Sequence, residues 1–233
     1  MAGATLLPLD AVVARSDAEA VRQALSRHGF AILRDALSRA ETSALARCDE
    51  LALACFGATD DQQMAMRCAG SVARRQTRQL EVCSKLPLAG IGLHTVSEEG
   101  ERVRDQIHLV TDPAAMRLMR WPARTGRLGG LGEAVRHATH VLHGLCTELL
   151  DAVEPAAEGA RRAQAELSGD PSVLDLFLYP NQHTRPANMR THTDPGLLTV
   201  TQVSGTPGLQ VLDAASGAWL DVEAVAEATD LVL

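Results

Sequence analysis

The stretch from Ser172 to Val222 constrains the fold more than any other part of this chain. It breaks into short alternating runs: Ser172 to Tyr179, Leu197 to Val203, Leu209 to Asp213 and Ala218 to Val222. A period of two suits strands with one buried face, and turn residues separate the runs. Ala214-Ala215-Ser216-Gly217 reads as a hairpin connection with glycine at its end. What comes before is different in kind. Ser16-x-x-Glu19 and Ser38-x-x-Glu41 each read as a capping box that opens a helix. The first helix turns Val21, Ala24 and Leu25 inward and ends at Gly29. The second runs to about Cys55, with Leu45, Cys48, Ala52 and Cys55 on one stripe and Leu51 at its edge. Phe30 to Leu33 lies between them as a short buried strand. Residues 57–103 show poor periodicity and read as loop with broken helix or strand. Trp121-Pro122 marks a break, and a long helix follows from about Leu131 to Val153. Helices first and antiparallel strands afterwards argue for an α+β domain whose β part is a sandwich or open barrel.

Composition narrows the partners. At 46% hydrophobic and 22% charged, the 233 residues are ordinary globular usage, which excludes a disordered or low-complexity chain. Net charge is −7 and Lys85 is the only lysine, so neither nucleic acid nor an anionic membrane surface is an expected partner. No apolar run approaches the roughly 18 residues of a membrane span, and Met1 to Pro8 is too short for a signal peptide. The five cysteines form no CxxC pair, so Cys48 and Cys55 are expected as buried thiols in a reduced, cytoplasmic protein.

Two sets of residues invite a metal. His137, His140 and His143 lie on the long helix, but they spread to the side and rear of its apolar face and are expected in solvent. His192-Thr193-Asp194 is the sharper set. On a strand, positions i and i+2 share a side, so an imidazole and a carboxylate would close on one cation. That pair supplies two members of the two-histidine, one-carboxylate triad that holds non-haem Fe(II). Alone, the triplet is a weak signal, and Pro195-Gly196 after it is compatible with a plain surface turn.

Its surroundings are more specific. Upstream stands Leu174-Asp175-Leu176-Phe177-Leu178-Tyr179-Pro180. Downstream come Asp194-Pro195-Gly196-Leu197-Leu198-Thr199, then Gly208-Leu209-Gln210-Val211, then Gly217-Ala218-Trp219-Leu220-Asp221-Val222. Near the N-terminus are Leu7-Pro8-Leu9-Asp10 and His28-Gly29-Phe30-Ala31-Ile32-Leu33. Together these resemble the iron- and 2-oxoglutarate-dependent dioxygenases of the isopenicillin N synthase-like group, over nearly the whole chain and only loosely across 57–104.

The resemblance implies a double-stranded β-helix (jelly-roll) core with flanking helices, incomplete at its C-terminal side. It divides the chain into an N-terminal helical and mixed region (1–125), a long supporting helix with its connector (126–170) and a partial jelly-roll domain (171–233). It implies an oxidoreductase that uses Fe(II), O₂ and 2-oxoglutarate to hydroxylate, desaturate or cyclise a small organic substrate. His192 and Asp194 would be iron ligands, and Tyr179 would hydrogen-bond the far carboxylate of 2-oxoglutarate. Phe177 stands where plant members often carry Asn. Arg185 and Arg190 flank the motif as candidates to face a carboxylate-bearing substrate, with solvated surface arginines the plain alternative.

The family's third ligand, a distal histidine, and its 2-oxoglutarate-pairing arginine are missing. The 39 residues after Asp194 hold no His, Arg or Lys. His183, His94 and His108 lack matching context as substitutes. Two expectations therefore compete: a truncated oxygenase, or a non-catalytic scaffold or binding module derived from that family. Under either, Asp230-Leu231-Val232-Leu233 is expected to leave an unpaired sheet edge open to self-association.

Overall fold

The computed structural model describes residues 8–58, 92–98, 101–111, 121, 128–153, 172–180, 188–194 and 196–233. They fall into two units. One comprises Met1–Ser43, Gly144–Glu158 and Asp194–Leu233; the other comprises Ala44–His143 and Gly159–Thr193.

In the first unit, strand β1 (Val12–Ala14) leads into helix α1 (Ala18–His28) and then β2 (Ile32–Arg34). The N-cap of α1 is Asp17, whose carboxylate accepts from Ala20 N at 3.0 Å. The expected Ser16 box is not used. With the start one residue later, the third helical position is Ala20, and Glu19 turns to Arg22 and Gln23 instead. Gly29 closes the helix in the left-handed conformation at φ 80°. Ahead of helix α2 (Arg39–Phe56) the second box is present: Ser38 N donates to Glu41 Oε2 at 2.7 Å, and Glu41 N donates to Ser38 Oγ at 3.3 Å.

β2 pairs parallel with β1 (Val12↔Ile32) and antiparallel with β9 (Leu231–Val232; Ile32↔Val232). β9 pairs in turn with β6 (Thr201–Gln202), giving the order β1-β2-β9-β6. The expectation of an unpaired edge at Asp230–Leu233 is therefore wrong. Leu231 and Val232 occupy an interior strand, bonded on both sides and buried, and Leu233 exchanges backbone hydrogen bonds with Ala31. An apolar pair between two strands gains more from burial than it could at an edge. Strands β7 (Gln210–Leu212) and β8 (Trp219–Asp221) form the expected hairpin, with Gly217 at φ 72° in its turn. Leu220 packs with Ala11, Phe30 and Ile32, while Val203, Val222 and Val232 form a second cluster.

The second unit contains a sheet of β3 (Gly92–Glu98), β4 (Glu101–Val110) and β5 (Val173–Leu178), all antiparallel and in that order. β3 and the start of β4 lie where the sequence pattern reads as broken. On β4 the cause is Asp105. Val103, Ile107 and Leu109 face inward, but Asp105 shares their face and is 2% exposed, held by Arg102. A charge at a core position hides the period of two.

Helix α3 (Leu131–Val153) buries Leu131, Val135, Ala138, Leu145 and Leu149, the expected stripe. Trp121 lies against Gly132 in its first turn, where a Cβ would overlap the indole. Among the described residues, no helix is long and apolar enough to cross a membrane.

Candidate functional site

His192 and Asp194 lie on an irregular segment, and the following strand, β6, begins only at Thr201. The strand geometry expected to align them is thus not formed at residues 192–194. Both side chains are exposed, as is Arg190. His192 Nδ1 lies 2.8 Å from the Arg190 carbonyl oxygen. A carbonyl only accepts, so Nδ1 is the donor in this contact. Metal-ligating histidines commonly have one ring nitrogen fixed by such a backbone acceptor. The two residues offer an imidazole nitrogen and a carboxylate oxygen, donor types that suit Fe(II). No group of three His, Cys, Asp or Glu gathers among the described residues. His183 and Arg185 lie outside the described residues. His94 is on β3. His137 and His140 are exposed and His143 half-buried, in keeping with the solvent-facing expectation for the first two.

Tyr179 follows directly after β5, and its ring stacks on Phe177 with centroids 6.0 Å apart. Cross-strand register sets Phe177 opposite Gln106 and Asp175 opposite His108. Since side chains alternate, Asp175, Phe177 and Tyr179 share one face with Arg104, Gln106 and His108, opposite the packed Ile107 and Leu109. Asp175 Oδ1 accepts from Gln106 Nε2 at 2.6 Å and pairs with His108 Nδ1 at 2.6 Å. His108 Nε2 is buried and has no hydrogen-bond partner among the described residues. The Arg104 guanidinium stands 5.1 Å from the Phe177 centroid, and its Nη1 donates to Met189 Sδ at 2.9 Å. Its Nε is buried, likewise without a partner among them. Sequence reasoning singled out Tyr179 and Phe177, weighed His108 only as a substitute iron ligand, and gave no role to Arg104, Gln106 or Asp175. The only local signal was Asp175 in register with Phe177 and Tyr179, at i, i+2 and i+4.

The polar groups of the first unit behave differently. His28 is 2% exposed, with Nδ1 2.8 Å from Asp213 Oδ1 and Nε2 3.2 Å from Asp10 Oδ1, the latter off the line of a full hydrogen bond. The Ser216 hydroxyl, then His28, hold the Asp213 carboxyl down to about 2. These groups brace the fold and open onto no described ligand cluster. On α2, Cys48 and Cys55 are buried and outside any disulfide, as expected, and burial pushes their thiols up to about 12 and about 11.

No protein-family model matches the chain, and no curated protein matches its sequence. Solved structures do. A rice dioxygenase for auxin oxidation matches with a TM-score of 0.57 at 20% identity, over 92% of this chain and 65% of that one. A full-length Neurospora crassa protein, solved in complex with alpha-KG and 5-formyluracil, matches with a TM-score of 0.62 at 18% identity, over 94% and 64%. A Caulobacter crescentus protein described as of the 2OG-Fe(II) oxygenase family gives 0.60 at 20% identity, over 94% and 68%. The chain has the fold of these oxygenases. It spans about two thirds of their lengths.

Proposed function

We propose that this chain belongs to the Fe(II)- and 2-oxoglutarate-dependent oxygenases and that its strands form part of their jelly roll, with residues 171–233 supplying the catalytic portion. The reaction class is oxidation of a small organic substrate with O₂. His192 and Asp194 would hold the iron, and Tyr179 would hydrogen-bond 2-oxoglutarate. When bound, the metal supplies O₂ activation coupled to oxidation of the co-substrate. This chain's own residues do the rest. Arg190 O accepts from His192 Nδ1, Asp194 contributes negative charge, and the Phe177–Tyr179 stack gives a flat wall against which a planar ligand is oriented.

The observation that carries the proposal is the His-x-Asp pair inside a chain whose fold matches an alpha-KG-bound structure along nearly its whole length. The contact of His192 Nδ1 with the Arg190 carbonyl oxygen supports it. Equilibrium dialysis with Fe(II) under anaerobic conditions tests it. Weak binding is expected in the wild type, with a loss of about 10-fold or more in His192→Ala and Asp194→Ala, on the order of what even outer partners of a metal site contribute. Equal iron uptake by all three proteins would remove both residues from the metal.

A further inference from the structure

His28 is the last residue of α1, and its buried ring lies between two carboxylates from distant parts of the chain. Nδ1 stands 2.8 Å from Asp213 Oδ1 in the β7–β8 turn. Nε2 stands 3.2 Å from Asp10 Oδ1 in the short helical turn Leu9–Ala11, and has no other partner among the described residues. One further charge faces the group: Arg27 Nη1, 2.7 Å from Asp10 Oδ2. A carboxylate only accepts, so Nδ1 is the donor to Asp213. A ring with that single proton would aim its Nε2 lone pair at an Asp10 oxygen, and two electron-rich atoms at this distance repel. The contact becomes attractive when Nε2 also carries a proton. Charge agrees. With an imidazolium, His28 and Arg27 balance Asp10 and Asp213; with a neutral ring one negative charge is left over, beside the negative end of α1.

We propose that His28 is a proton-dependent clasp: with both ring nitrogens protonated it ties the N-terminal turn to the β7–β8 turn, and loss of the Nε2 proton frees the N-terminal turn. Asp213 stays bound in both states through the Nδ1 proton, and the 2.9 Å bond from Ala214 N to the His28 carbonyl oxygen does not involve the ring. The change is therefore confined to the Asp10 side. What else holds that side is weak, since the Arg27–Asp10 pair is more than half exposed. The far end of the turn is fixed: Ala11 is buried against Phe30, Ile32 and Leu220, and β1 is paired with β2. The freed piece is thus Pro8–Asp10 and not the strand. Histidine changes charge between about pH 5 and 8, so the clasp closes in mild acid and opens as pH rises. Asp213 remains ionised throughout, its carboxyl held at about 2 by the Ser216 hydroxyl first and then by His28. None of these residues belongs to the His192–Asp194 set, so the clasp is independent of the oxygenase reading.

The test is amide hydrogen exchange of the 233-residue chain, read by NMR as protection factors at about pH 5.5 and about pH 8.5, either side of the histidine range. The reporters are the Ala11 amide, which donates to Pro8 O at 3.0 Å, and the Val12 amide, which donates to Leu9 O. Both should be about 3- to 10-fold better protected at the acid end, as befits one partly exposed ion pair gained. The Ala214 amide, bonded to the His28 carbonyl, should keep the same protection factor at both. Asp10→Asn should abolish the difference, because its amide accepts from a protonated Nε2 through oxygen and donates to an unprotonated one through nitrogen. His28→Gln, which cannot take up the proton, should abolish it too. Equal protection of Ala11 and Val12 at the two pH values in the wild type overturns the clasp, and so does better protection at the alkaline end. A change shared equally by Ala214 also overturns it, since the effect would then be global. Should His28→Gln fail to fold, a pH difference that persists in Asp10→Asn is the overturning result; Asp10 is half exposed, and its replacement leaves the buried ring bound to Asp213.

Discussion

The two units treat their buried polar groups in opposite ways. In the first, Asp230 is 1% exposed, yet it accepts from Arg34 Nη1 at 2.5 Å and from the backbone of Asp35 and Glu227 at 2.9 Å each. Asp213 is met by His28, Ser216 and the Ala215 amide. In the second, Asp175 is satisfied, but Arg104 Nε and His108 Nε2 are buried on the same sheet face without partners among the described residues. Closed networks of the first kind hold chain segments together. Unmet groups of the second kind carry a cost in stability that the first unit's networks avoid.

The largest expected effect breaks the closed side at its apolar centre. Leu231→Ala, in the strand following Asp230, should destabilise by about 2–5 kcal/mol in urea unfolding, as for other buried leucines. A loss near zero would mean that β9 does not occupy the middle of its sheet. Next comes Arg34→Met, which strands the buried Asp230 carboxylate. With Arg34 40% exposed and two backbone donors remaining, about 2–3 kcal/mol is expected, less than for a fully buried pair.

Asp213 sharpens the comparison through pH. Its carboxyl, held at about 2 in the fold against an ordinary value of 3.8, favours the charged form. The stability it contributes is therefore fully present above about pH 4 and lost as pH falls towards about 2. Thermal unfolding of Asp213→Asn should show a shallower acid slope across that window than the wild type; identical slopes would assign the acid sensitivity elsewhere. The smallest effect belongs to the open side. Arg104→Gln should change stability by no more than about 0.5 kcal/mol, or raise it, because the guanidinium has no ion pair to lose among the described residues. A large loss would place Arg104 among the bracing groups and erase the contrast.

Much of this was legible in the sequence, and the reasons are local. Helices α1 and α2 follow from apolar spacing and end signals, the Ser38–Glu41 box from four adjacent residues, and the β7–β8 hairpin from Gly217. Each depends on neighbours within a few positions. The box at Ser16 failed by a single residue of helix phase, which Asp17 decided by capping in its place. His192, Asp194 and Tyr179 were readable as candidates because their motifs are contiguous.

Tertiary structure decided the rest. Asp105 sits on a buried face where Arg102 reaches it, and no periodicity announces that. β9 became an interior strand because Ile32 pairs with Val232 from the far end of the chain, a match that two apolar residues at a terminus do not signal. The face built by Arg104, Gln106, His108, Asp175 and Phe177 exists only in the β4–β5 register. Periodicity and capping are short-range and are written in the sequence. Strand register and the satisfaction of buried charges depend on partners brought together by folding, and only the folded chain specifies them.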